Sequence, residues 1–249
     1  MNDMAAVLKK AFVLAAGLGQ RMRPLTDSCP KPLLYVGGRT MLDRALDALA
    51  DAGVEEAVVN VHYLPQMIED HLKTRTHPKI TIVREDVLLD TGGGVKQMLD
   101  FFGDEPFYVL NADVVWTDGE KGATLTQMAQ QWDGSKMDLL LLLHTTKDLP
   151  SYNGKGDYYL ADNSDQPVFK GRTREDANYI FTGPRIVHPR LFDGARDGAF
   201  SFLELFHKAE LNGKLYAHRH DGDWHHVGTP EALEETNRTL AAKSKKRAP

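Results

Sequence analysis

Ala11-Phe-Val-Leu-Ala-Ala16-Gly17-Leu-Gly19-Gln-Arg21-Met22 decides the fold. A short apolar run that stops at a glycine reads as a strand buried on both faces, the kind a parallel sheet uses. The glycines after it free backbone amides to converge on phosphate oxygens. A dinucleotide fingerprint needs a third glycine where Met22 stands, and a P-loop must end in Gly-Lys-Ser/Thr, so both of those readings fail. Two remain open on these residues alone. Either Arg21 forks onto a phosphate wrapped by the glycines, or the segment is an ordinary strand-to-loop turn with a solvated arginine.

Outward from this stretch the chain repeats strand, loop and helix. Thr40 opens a helical stripe of Met41, Leu42, Ala45, Leu46 and Leu49 that stops at Gly53. Strands are expected at 56–62, 79–83, 106–110 and 137–143. Helices are expected from Pro65 and over Val95–Phe102, the latter after the glycine triplet 92–94. Beyond about residue 145 the rhythm changes to a hairpin over 158–169, a strand at 179–187, a helix at 201–211, a short strand at 215–218 and a last helix capped by Thr229-Pro230. The expected architecture is α/β: a Rossmann-like open, mostly parallel sheet with flanking helices and a small β-hairpin lobe. A single domain spans 1–249, with one half over about 11–145, a second over about 146–240, and a flexible tail at 241–249.

Composition excludes several classes of function. With 249 residues, 42% of them apolar, there is material for a full core. A formal charge of −5 argues against nucleic acid as a partner. The lone cysteine, Cys29, rules out a disulfide framework and points to the cytoplasm. Lys9-Lys10 before an apolar run imitates a secretory signal, but six residues are too few for a signal or a membrane span.

Further residues carry chemistry. Lys31 stands between Pro30 and Pro32, which fix the backbone on either side and display the lysine rigidly. Asp113 follows the apolar strand that ends in Asn111, where open α/β sheets gather their ligands; it reads equally as a loop aspartate or a helix cap. Glu85 follows another strand and can accept from a base N–H or stay solvated. Asp90-Thr-Gly-Gly-Gly94 offers close backbone approach to a base, or a plain helix start with a hinge. His218, His220 and His225 alternate as a strand does, and a zinc site there is not expected, because thiolates are lacking.

Leu14-Ala-Ala-Gly17-Leu-Gly19-Gln-Arg21-Met-Arg-Pro-Leu-Thr26, followed by Pro30-Lys31-Pro32-Leu33, resembles the opening signature of the sugar-1-phosphate nucleotidyltransferases. Asn111-Ala-Asp113, Tyr179-Ile-Phe-Thr182-Gly183 and Trp224-His-His226-Val-Gly-Thr-Pro230 extend the likeness to about residue 240. The resemblance implies a compact enzyme without the C-terminal β-helix of longer members. It implies that the first half binds a nucleoside triphosphate, through Ala16, Gly17, Gly19, Arg21, Glu85 and Gly93. It further implies that the second half binds a sugar-1-phosphate, through Asn111, Lys170, Thr182 and Gly183. Arg21, Lys31 and Asp113 would be catalytic, with Asp113 holding magnesium. Where the family carries a second metal-binding aspartate this chain has His226, so manganese or cobalt is the expected preference, with Asp223 as the alternative ligand; His226 can also simply pack.

Within the family the chain looks most like the members that join UTP to N-acetylmuramate α-1-phosphate. Lys170, Arg172 and Arg174 are then candidate partners for the lactyl carboxylate. Guanylyltransferases of mannose- or heptose-1-phosphate and thymidylyltransferases of glucose-1-phosphate are the alternatives, as is a regulator that binds sugar nucleotides without catalysis. A monomer or homodimer is expected, with no membrane partner.

Overall fold

Strand β1 (Lys10–Leu14) forms from the first apolar run, with Ala11, Phe12 and Val13 fully buried. The computed structural model describes residues 8–147, 149, 154–170 and 175–247. A small ribbon of β2 (Tyr35–Val36) and β3 (Arg39–Thr40) leads into α1 (Met41–Asp51). Then follow β4 (Glu56–Val61), α2 (Pro65–Leu72), β5 (Lys79–Arg84), α3 (Asp90–Lys96), α4 (Leu99–Phe102) and β6 (Phe107–Asn111). Strands β5, β4, β1 and β6 lie side by side in that order and run parallel, with helices as the crossovers. In register, Leu14 stands beside Asn60 of β4 and Asn111 of β6. The carboxyl ends of three strands therefore finish together.

α1 shows why these elements form where they do. Thr40 Oγ1 accepts from Asp43 N at 3.0 Å, satisfying a free amide of the first turn. Met41, Leu42, Ala45, Leu46 and Leu49 are buried at helical spacing; Met41 packs with Met22 and Val36, and the other four share a core with Val13 and Val59. Cutting any of those leucines to alanine costs about 2–5 kcal/mol.

The second half comprises β7 (Val115–Trp116), α5 (Thr124–Gln131), β8 (Leu139–Thr145), β9 (Tyr158–Tyr159), β10 (Val168–Phe169), β11 (Tyr179–Val187), α6 (Phe202–Leu211), β12 (Leu215–Arg219), β13 (Trp224–His225) and α7 (Pro230–Arg247). Strand β11 joins the sheet antiparallel to both β6 and β8, and β12 runs parallel to β8. The β9–β10 hairpin pairs with β11 at Tyr179. Phe202, Leu205 and Phe206 of α6 cover the other face of the sheet with Phe12, Val58 and Phe107.

Several elements differ from the sequence reading. β1 ends at Leu14, and Ala15 turns away because its N–H donates to Asn60 Oδ1 at 2.8 Å. The helix expected over Val95–Phe102 starts already at Asp90, takes in the glycine triplet, and is divided into α3 and α4 after Lys96. Gly92 N and Gly93 N both donate to Phe200 O, at 2.9 and 3.2 Å, and a Cβ on Gly93 would meet Gly198 O at 2.3 Å. Glycine costs about 1 kcal/mol in a helix, and here it admits the 198–200 backbone. The expected strand from Met137 starts at Leu139. α5 and the β7–β13 ribbon are additional to the expected elements, and α7 takes in residues 241–247, where a flexible tail is expected.

Candidate active site

The glycine loop opens the cleft at the ends of β1, β4 and β6. Asn60 anchors it, taking the Ala15 N–H on Oδ1 and donating from Nδ2 to Glu85 Oε1 at 2.7 Å. Glu85 is buried, and its Oε2 accepts from Leu89 N at 2.9 Å. A Cβ at Gly17 would meet nothing within 4 Å, so this backbone faces open space. Gly19 adopts φ +62°, a left-handed conformation, and its carbonyl accepts from Thr26 Oγ1 at 2.9 Å. Arg21 is exposed on the short helical turn that follows, Gln20–Met22.

Lys31 and Asp113 meet across this loop. Lys31 starts a short helical turn after Pro30, and its side chain is only 12% exposed. The β1–β6 pairing continues past β6 through Ala112 N to Leu14 O at 2.9 Å, which carries Asp113 to the loop. Lys31 Nζ donates to Asp113 Oδ2 at 2.6 Å, and the aspartate stays 38% exposed. Ala16, Gly17, Gly19, Arg21, Lys31, Glu85, Asn111 and Asp113 line one cavity of about 700 Å³, with Asp90 and Thr91 on its rim. A larger cavity of about 960 Å³, between the β2–β3 turn and α7, includes none of these residues.

His226 belongs to the same neighbourhood. Burial first, then the charges of Arg21 and Lys31, hold its imidazole below the ordinary histidine range, and Asp113 opposes them. Its ring stands 5.7 Å from that of Trp224, and a Cβ on Gly228 would meet its Nε2 at 2.6 Å. Asp223 points elsewhere, to Lys243 Nζ and to Thr117 Oγ1 at 2.9 Å, on the wall of the larger cavity. The aspartate expected as the alternative ligand is therefore not beside Asp113.

Other expected residues stand outside the cavity. Gly93 is buried against Gly198 and Phe200, so the close approach seen is to protein backbone. The Thr182 hydroxyl is buried and donates to Leu142 O at 2.8 Å. Gly183 sits at the irregularity of β11, and its carbonyl accepts from Arg185 at 2.8 Å. Lys170 follows β10, where its N–H donates to Asp157 O at 2.9 Å. Arg172 and Arg174 lie outside the described residues. His218 Nδ1 is 2.6 Å from Gln131 Oε1, and burial pulls its pKa down to about 4. His220 lies between Thr124 and the Asp223 carbonyl. Two residues were missed, Asn60 and Arg185. Each is a buried polar side chain flanked by apolar residues of its strand, which is the signal that could have found them.

Residues 10–154 match the nucleotidyl transferase family. The chain is a nucleotidyl transferase. An N-acetylmuramate α-1-phosphate uridylyltransferase from Caulobacter vibrioides is 39% identical to the transferase, over 92% of this chain and 96% of the relative. One from Neisseria meningitidis serogroup B is 34% identical, over 94% and 99%. A mannose-1-phosphate guanylyltransferase catalytic subunit beta from Dictyostelium discoideum is 28% identical, over 89% of this chain and 62% of its own. The fold is that of solved nucleotide-sugar enzymes. A UDP-glucose pyrophosphorylase bound to UDP-glucose superposes with a TM-score of 0.77 at 19% identity, covering 96% of this chain and 100% of that one. The inositol-1-phosphate CTP transferase of T. maritima also gives 0.77, at 18% identity over 99% and 100%.

Enzymes of this family join a sugar-1-phosphate to a nucleoside triphosphate and generally use a divalent metal. The transferase has donors that fit such an ion. Asp113 supplies a hard, partly exposed carboxylate, and His226 stands near, its imidazole held below the ordinary histidine range by burial. Among the described residues no group of three or more His, Cys, Asp or Glu is placed to enclose a metal. Asp113, with His226, would hold the ion, leaving the other positions to phosphate oxygens and water, as magnesium beside nucleotides commonly has them. No helix among the described residues is long and apolar enough to cross a membrane.

Proposed function

We propose that this transferase joins UTP to N-acetylmuramate α-1-phosphate, giving UDP-N-acetylmuramate and pyrophosphate, in the cytoplasm during peptidoglycan recycling. The reaction class rests on the Lys31–Asp113 pair, 2.6 Å apart beside the glycine loop. The substrate pair is supported by the two uridylyltransferase relatives, which align over nearly the full length of both chains.

The chemistry asks little of the protein beyond placement. A sugar-phosphate oxygen attacks the α-phosphorus in line, the new P–O bond forms as the bond to the β-phosphate oxygen breaks, and pyrophosphate leaves. The nucleophile is already an anion, so no general base is needed. Loop amides from Ala16 to Gly19 cradle the triphosphate. Arg21 forks onto it, and Lys31 moves its charge from Asp113 to the phosphate oxygens as they enter. Asn111, at the end of β6, faces the sugar phosphate. Asp113, with His226 as second ligand, would hold a divalent ion, which would supply positive charge to the phosphates.

The test is pyrophosphate release across four nucleoside triphosphates and a set of sugar phosphates. UTP with N-acetylmuramate α-1-phosphate is expected to lead, ahead of UTP with N-acetylglucosamine-1-phosphate. A lead for GTP with mannose-1-phosphate, or dTTP with glucose-1-phosphate, would replace the substrate reading. Release from no pair would overturn the catalytic one.

A further inference from the structure

β11 carries an arginine where its pattern calls for an apolar side chain. Arg185 is 2% exposed, lies on the face of the sheet covered by α6, and has its guanidinium carbon 4.3 Å from the centre of the Phe202 ring. Phe181 and Phe206 complete an aromatic cage at 5.6 and 5.8 Å. No carboxylate pairs with it among the described residues, its Nε has no hydrogen-bond partner, and burial pulls its pKa down to about 9. A buried cation without a counter-charge is costly, and a fold does not need one at this place.

One contact gives it a use. Nη1 donates to Gly183 O at 2.8 Å and to Asn111 Oδ1 at 3.2 Å, and Asn111 lines the cavity. An asparagine amide can be turned either way, with oxygen or nitrogen inward, and usually only its neighbours decide. A guanidinium has donors only, so it decides completely: Oδ1 must face Arg185, and Nδ2 must face the cleft. No described residue accepts a hydrogen bond from Asn111 Nδ2. The bond from a cation also polarises the amide, which strengthens its N–H donors.

We propose that Arg185 is a positioning residue for the sugar-phosphate end of the cleft: it locks the Asn111 amide with its N–H donors toward the substrate, so that this point accepts an anionic oxygen and rejects a hydrogen-bond donor. The proposal rests on the reading of the cavity as a nucleotidyl-transfer site, and it holds for any sugar-1-phosphate. Arg185 touches neither substrate and acts through Asn111.

The experiment measures binding of N-acetylmuramate α-1-phosphate and of UTP by calorimetry, together with KM for each, in wild type and variants. Arg185→Met keeps the volume and removes the donors. It is expected to weaken sugar-phosphate binding about tenfold while UTP binding stays within twofold. Arg185→Lys, a donor-only cation, should recover part of the loss. In an Asn111→Ala background Arg185→Met should add nothing further, because the two act as one unit. Equal losses for both substrates, no loss, or additive effects would overturn the proposal. If Arg185→Met does not fold, Asn111→Asp decides: it gives Arg185 a carboxylate, so a purely structural role is served, yet it turns an acceptor toward the substrate. Sugar-phosphate binding should fall more than tenfold, and wild-type binding would overturn the proposal. A wild type that prefers another sugar phosphate refutes the substrate reading only, and the same variants are then run with that sugar. A wild type that binds none overturns both.

Discussion

Asn60→Asp tests whether the network behind the glycine loop is as tightly specified as its geometry indicates. Asn60 is 2% exposed, takes the Ala15 N–H at 2.8 Å on one atom and gives a hydrogen bond to Glu85 Oε1 at 2.7 Å from the other. The substitution is isosteric, so packing is unchanged and only charge is at issue. Two ionised carboxylates cannot share a buried contact of that length, so the introduced group must keep a proton to bond Glu85. From a reference pKa of about 3.9, holding that proton costs about 5 kcal/mol at pH 7.5 and about 1.5 kcal/mol at pH 5. The folded-state pKa is raised, so the variant's stability is fully present below the ordinary carboxylate range and is lost as pH rises. Urea unfolding of wild type and variant at both pH values measures the difference. A gap widening by about 3 kcal/mol from pH 5 to 7.5 is expected. A variant as stable as wild type at pH 7.5 would refute the network.

Arg21→Ala removes a charged fork from the triphosphate site and should lower kcat/KM about a hundredfold, roughly 3 kcal/mol; wild-type rates would remove Arg21 from the site. His226→Asp should raise the activity with magnesium relative to manganese or cobalt, and identical metal profiles would show that His226 is no ligand. Because its imidazole is held below the ordinary histidine range, wild-type activity should fall only as pH drops beneath about 6.5, and the aspartate variant should move that limb lower still. Gly93→Ala places a Cβ 2.3 Å from Gly198 O and should cost about 1–3 kcal/mol in thermal unfolding, with a neutral result contradicting the packing of α3.

Much of this was legible because the deciding signals are local. A glycine turn after an apolar strand, a lysine between prolines and an aspartate at a strand end each state their own backbone geometry, and parallel order then brings Lys31 to Asp113. Asp90–Gly94 does start a helix, but why it carries glycines is not legible locally, because the reason lies far along the chain, in the backbone at 198–200 that only glycines can approach. Glu85 could be read from sequence as a base contact or a solvated side chain. It is bonded to Asn60 and Leu89, partners that tertiary register chooses. Thr182 sits in β11, where its hydroxyl is taken up by Leu142 O, a partner that only the strand pairing reveals. Asp223 and His226 are three residues apart and have different neighbours, Thr117 and Lys243 for the one and the charges of Arg21, Lys31 and Asp113 for the other, as strand alternation suggests.

The central claim is that the Lys31–Asp113 cleft transfers a uridylyl group from UTP to N-acetylmuramate α-1-phosphate. It is tested most directly by pyrophosphate release from that substrate pair with wild type and Asp113→Asn side by side. One pyrophosphate per nucleotide sugar is expected from wild type, with a rate at least about a hundredfold lower in the variant. Equal rates in the two proteins, or no pyrophosphate from wild type, would contradict it.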